Sequence, residues 1–190
     1  MKIIRVSKDL RKQMEDWYEK RTKAHIERVV KYCNLIADYD DKFSELRERA
    51  KIHDDSKFES PEKEPYIYIT WRYKCKEEGM DFEDCNPPED IEDKMFEATL
   101  HHIKNNKHHP EYHTDDVALN KNDRDKPPEK TIDATKMKDV DVAEMCADWF
   151  AMSEEKNSNP KGWADMNVDV RWKFTDEHKN LIYELIEEVW

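Results

Sequence analysis

The residues with chemical potential in this chain are its histidines and a few acids. Eight histidines occur in 190 residues: His25, His53, His101, His102, His108, His109, His113 and His178. His101-His102 and His108-His109 are adjacent pairs, His53 is followed directly by Asp54, and Asp148 lies within Cys146-Ala147-Asp148-Trp149. Imidazole nitrogens combined with carboxylate oxygens suit a borderline divalent ion such as Fe, Mn, Co, Ni or Zn. One ion takes His25, His53, Asp54 and Asp148. A second shares Asp54 as a bridge and takes His102 with His108 or His109. Bridged ions roughly 3.5–4 Å apart stabilise both the attacking and the leaving oxygen of a displacement.

Each residue also has a plainer reading. A lone His25 on an apolar stripe is more often a hydrogen-bonded core residue than a ligand. His101 and His102 differ by about 100° around a helix, so only one faces fully inward. Ala98 and Met95, one and two turns earlier, favour His102. His108-His109 follows a helix end at Asn105-Asn106 and reads equally as a polar loop. His113 and His178 read as solvent-exposed, Glu144 as a plain exposed acid, and Glu111 with Asp115-Asp116 as solvation of a loop. Asp139 and Asp141 compete with Asp148, but they sit at a helix start, where the dipole favours an acid. Asp148 lies between Met145 and Trp149, beside an apolar face. A carboxylate there needs a partner or a metal.

Helices must position these groups. Residues 8–38 read as one or two helices, capped by Ser7, with Leu10, Met14, Trp17 and Tyr18 on one stripe and His25, Val29, Cys33 (or Tyr32) and Ile36 on another. Residues 42–53 repeat the spacing through Phe43, Leu46, Ala50 and His53. Ser60-Pro61 reads as the next helix start, and Tyr66–Trp71 as helix despite its β-rich composition. Further helices span about 89–104, carrying Ile91, Met95 and Ala98, then 139–153, with Val142, Met145, Cys146, Trp149 and Met152 on one face, and 175–190. Loops are expected at 79–90, at 110–136 as a long polar excursion with Pro127-Pro128, and around Pro160 and Gly162. The expected fold is all-α: one domain over 1–190, its core at about 22–155, with the C-terminal helix packed on it.

Composition removes several classes. Thirty-three Lys and Arg against 45 Asp and Glu leave a formal charge of −12, which disfavours general nucleic-acid or anionic-membrane binding. Two glycines rule out a Gly-rich phosphate loop. No stretch of 18 apolar residues reads as a membrane span. Four scattered cysteines without a CxxC pair, and an N-terminus without a secretory pattern, point to a reducing cytoplasm.

The order His25, His53-Asp54, Asp148 resembles the HD-domain superfamily of metal-dependent phosphohydrolases. His53-Asp54-Asp55-Ser56-Lys57 is similar to the His-Asp-x-Gly-Lys of the HD-GYP phosphodiesterases, with Ser56 in place of Gly. That resemblance implies a phosphate-orienting role for Lys57. The GYP segment is absent, and His102 and His108 are only six residues apart, so cyclic-dinucleotide hydrolysis is not implied. A closer resemblance is to an uncharacterised HD-like family of phages and bacteria. It covers roughly 22–155 and rests on His53–Phe58, His101-His102 with Asn106–Glu111, and Glu144–Ser153. It implies an HD-like helical bundle with metal at His25, His53, Asp54, His102, His109 and Asp148, and with Lys57 and His108 meeting substrate. Asp54 and Lys57 are then the residues of the chemistry, and Asp55 or Glu111 assists proton transfer.

The resulting expectation is hydrolysis of a nucleotide or related small phosphate ester by a metal-activated water, using one or two divalent ions, in a bacterial or phage-infected cytoplasm. A di-iron oxygenase of HD type is the second expectation. A non-catalytic module that binds a nucleotide or a host protein is the third, with Trp163, Trp172 and Trp190 as interface candidates.

Overall fold

The computed structural model describes residues 8–115 and 130–190. Among the described residues, seven α-helices and two very short strands make the fold all-α: α1 (Lys8–Tyr39), α2 (Leu46–Arg49), α3 (Lys63–Glu78), α4 (Ile91–Asn105), β1 (Ile132–Asp133), α5 (Asp139–Glu155), α6 (Pro160–Asn167), β2 (Trp172–Lys173) and α7 (Asp176–Glu188). No described helix is long and apolar enough to cross a membrane. Two compact units are present. The first holds the chain up to Ala24 and Asp55–His102; the second holds His25–Asp54 and Ile103–Trp190.

The first unit is built around α3. Tyr66, Ile67, Tyr68, Ile69, Thr70 and Trp71 are all buried, so the middle of this helix is buried on every side and shows no stripe, while its ends are charged. Burial overrides the strand preference of its β-branched residues, and Thr70 turns its hydroxyl back onto Tyr66 O and Ile67 O. Met14 and Tyr18 of α1 and Ile91, Met95 and Ala98 of α4 complete this core. The helix begins at Lys63 rather than at Ser60-Pro61, with Glu62 at its N-cap and Pro65 in the first turn, where a missing N–H costs nothing. It ends at Gly79, whose φ of +67° is open to a residue without Cβ.

The second unit packs α5 against α7, with the later half of α1 contributing Val29, Cys33 and Ile36. Trp149 and Trp172 stack at 5.8 Å, and Tyr32 stacks on Trp190 at 5.5 Å. Trp149 and Trp172 are buried within the unit, whereas Trp190 stays 40% exposed. β1 pairs parallel with β2, Ile132 opposite Trp172. Residues 42–53 are not one helix but α2 flanked by short 3-10 turns at Asp41–Phe43 and Ala50–Ile52. The expected loop at Pro160 and Gly162 is instead α6, because Asn159 caps it and Pro160 occupies its first turn. Part of the expected excursion is ordered core: Pro110, Ile132 and Ala134 are buried. Ser7, Asp116 and Pro127-Pro128 lie outside the described residues.

Candidate metal centre

The second unit gathers ligand-type side chains from four stretches of chain. His25 comes from α1, His53-Asp54 from the turn after α2, His108 from the segment after α4, and Asp148 from α5. His53 has extended ψ (127°), and Asp54 takes the left-handed region at φ 60°. Asp tolerates that conformation better than most residues. The turn lets two adjacent side chains reach one cluster, which a continuing helix would splay apart by about 100°.

Asp54 sits at the middle. Its Oδ2 is 3.6 Å from His25 Nε2, and its Oδ1 is 3.7 Å from both His53 Nε2 and His108 Nε2. His25 Nε2 also lies 3.0 Å from Asp148 Oδ1. The His53 and His108 rings are 4.3 Å apart, and those of His25 and His53 6.0 Å. Ligand-type atoms of His25, His53 and Asp148 lie within 4.8 Å of one another, as do those of His53, His108 and Glu144. These groups could hold a metal ion.

Glu144 is not exposed. It is buried, and its Oε1 is 3.0 Å from His53 Nδ1 while its Oε2 receives Arg49 Nε at 2.7 Å. Arg49 also reaches buried Asp141 at 2.6 Å. His113 Nε2 donates to Lys107 O at 2.8 Å and lies 3.7 Å from Asp141, so it is an inner residue too.

The electrostatics favour a cation. Burial pushes the Asp148 carboxyl up, but the hydrogen bond and charge interaction with His25 outweigh it, holding Asp148 well below the usual carboxylate range. Burial pushes His108 well below its ordinary value, and His109 and His53 push the same way. His108 is therefore neutral and keeps a lone pair for a metal. Burial also raises Glu144, yet the hydrogen bond from His53, with the charge and hydrogen bond of Arg49, brings it below its ordinary value. An ionised Asp148 beside a neutral His108 suits the donor set of a borderline divalent ion.

Of the expected site residues, His25, His53, Asp54 and Asp148 lie together in the second unit. Of the second pair, left open between His108 and His109, His108 is the ring beside Asp54, and half-buried His109 lies tilted against it with ring centroids 4.2 Å apart. Asp139 lies 3.5 Å from His178, which is buried rather than exposed because it packs edge-on against Phe174. Glu111 is buried and accepts the Trp172 indole proton at 2.9 Å, so it does not solvate a loop. Asp55 is exposed.

His102 and Lys57 belong to the first unit. His102 does face inward. It and His101 meet a fully buried Glu62, His101 Nδ1 at 2.7 Å from Oε1 and His102 Nδ1 at 2.9 Å from Oε2. Ser56 donates to the same carboxylate at 3.0 Å. Burial raises Glu62, but the hydrogen bond and charge of His102, then the bonds from His101 and Ser56, leave it below its ordinary value. The Lys57 ammonium lies over the Tyr66 ring at 5.5 Å. Glu62 and Glu144 are the two residues that the sequence reading missed. Glu144 had a signal, since it lies four residues before Asp148 and so shares its helix face. Glu62 had none, because only the fold brings it to His101 and His102.

Residues 14–188 match a family described as a family of unknown function (DUF5662), and the chain belongs to it. No curated protein and no solved structure matches the chain.

Proposed function

We propose that this member of the DUF5662 family is a metal-dependent phosphohydrolase acting on a nucleotide or a related small phosphate ester. The observation that carries the reading is the convergence of His25, His53 and His108 Nε2 atoms on Asp54, with Asp148 bonded to His25. A divalent ion held by these side chains would supply Lewis-acid polarisation of a phosphoryl oxygen and activation of a water nucleophile.

The chain's own residues do the rest. Asp54 and Asp148 balance the cation's charge, and neutral His108 supplies a nitrogen without adding positive charge. The overall charge of −12 repels phosphate polymers, and a cation offsets that repulsion locally for a small substrate. The order His25, His53-Asp54, Asp148 on an all-α chain supports kinship with the HD-domain superfamily.

The test is elemental analysis of protein purified without added metal, followed by a screen of nucleotides and small phosphate esters with Mn, Co, Ni and Fe. Phosphate release that disappears in Asp54→Ala is the expected result. Release from no substrate with any metal overturns the reading. Two irons per chain with dioxygen consumption would point to an oxygenase. Tight nucleotide binding without turnover, unchanged in Asp54→Ala, would point to a binding module.

A further inference from the structure

We propose that Glu144, clamped by Arg49, is a positioning residue that fixes His53 as its Nδ1–H tautomer and so aims the Nε2 lone pair at the cation site. The purpose rests on the metal reading above; the tautomer is a property of the metal-free protein and can be measured without it.

Glu144 Oε1 lies 3.0 Å from His53 Nδ1. An ionised carboxylate only accepts hydrogen bonds, so the proton sits on Nδ1 and a neutral ring is left with its lone pair on Nε2. His53 Nε2 is buried without a hydrogen-bond partner, and the group facing it is Asp54 Oδ1 at 3.7 Å. Both Glu144 oxygens are engaged, Oε1 with His53 Nδ1 and Oε2 with Arg49 Nε at 2.7 Å and a terminal Arg49 nitrogen at 2.6 Å. Asp141, 2.6 Å from Arg49, holds the guanidinium from the other side. Buried ion clusters of this kind contribute little net stability, whereas a carboxylate behind a ligating imidazole fixes ring orientation and tautomer.

The experiment pairs two measurements. Two-bond 1H–15N spectra of the His53 ring are recorded in metal-free wild type, Glu144→Gln and Glu144→Asp, and Zn2+ is titrated calorimetrically into each. The expected result is Nδ1–H in wild type, loss of that single tautomer in Glu144→Gln with roughly 10–100-fold weaker Zn2+ binding, and partial recovery of both in Glu144→Asp. An Nε2–H ring in wild type overturns the proposal. So does Glu144→Gln with tautomer and affinity unchanged. If Glu144→Gln does not fold, Arg49→Lys replaces it, since a lysine keeps the charge but loses the two-pronged grip; an unchanged tautomer and affinity there also overturn the proposal. Asp54→Ala binding Zn2+ as tightly as wild type would sink the metal reading instead, while the spectra still decide the role of Glu144.

Discussion

His53 Nδ1 and Glu144 Oε1 meet at 3.0 Å although 91 positions separate them in the chain. The bond joins the turn after α2 to the inner face of α5. It ties the ring to a helix that also carries Asp148, so one rigid element sets two members of the cluster.

Removing the metal should destabilise the protein. Binding to the folded state alone adds about 2.7 kcal/mol at free metal near 100 times Kd. For a chain of this size that corresponds to a Tm shift of very roughly 5–10 °C. Differential scanning with and without a chelator checks this. The shift should vanish in Asp54→Ala; a shift of equal size there would disconnect the metal from this cluster.

Asp148→Ala and His178→Ala should part company. Asp148→Ala removes the carboxylate 3.0 Å from His25 and should abolish stoichiometric divalent binding in a calorimetric titration. His178→Ala should leave stoichiometry intact. Because His178 is buried against Phe174, it should still cost about 1–3 kcal/mol in urea unfolding. Metal loss in His178→Ala would refute the assignment.

The thiols should be inert in the native protein. All four cysteines are free and buried. Burial pushes the Cys85 thiol up to about 11, and Cys33 and Cys146 higher still. The thiolate is the reactive form, so a disulfide reagent at pH 8 should label none of the four until guanidinium is added. Fast native labelling of Cys146 would contradict its placement in the α5 core.

Stability should fall in acid partly through Glu62. Its carboxyl is held below its ordinary value in the folded state. The stabilisation is therefore complete above the unfolded carboxylate pKa, near 4.3, and is lost as pH drops through the lower folded value. Glu62→Gln should cost about 1.5–3 kcal/mol at pH 7, and the gap to wild type should narrow at pH 3. A gap independent of pH would mean the carboxylate charge is not what holds His101 and His102.

Much of this was readable in one dimension. Helical spacing located α1, α5 and α7, and it put His25 in line with Val29, Cys33 and Ile36, all buried in the fold. Asp148 stood out because it interrupts an apolar face, and apolar faces are local, periodic properties of a chain. Helix boundaries were less legible where capping decides them, as at Asn159, whose side chain accepts from Lys161 N.

The chain alone determined which residue types were on hand for a cation and that helices would carry them, because side-chain chemistry and helical period are written residue by residue. Only the tertiary structure decided that His108 rather than His109 lies beside Asp54, that Asp54 turns left-handed, and that Glu144 and Glu62 are buried partners of histidines. Those outcomes depend on contacts between distant segments. The cost of burying each charge then selects the partner, and no local pattern encodes that choice.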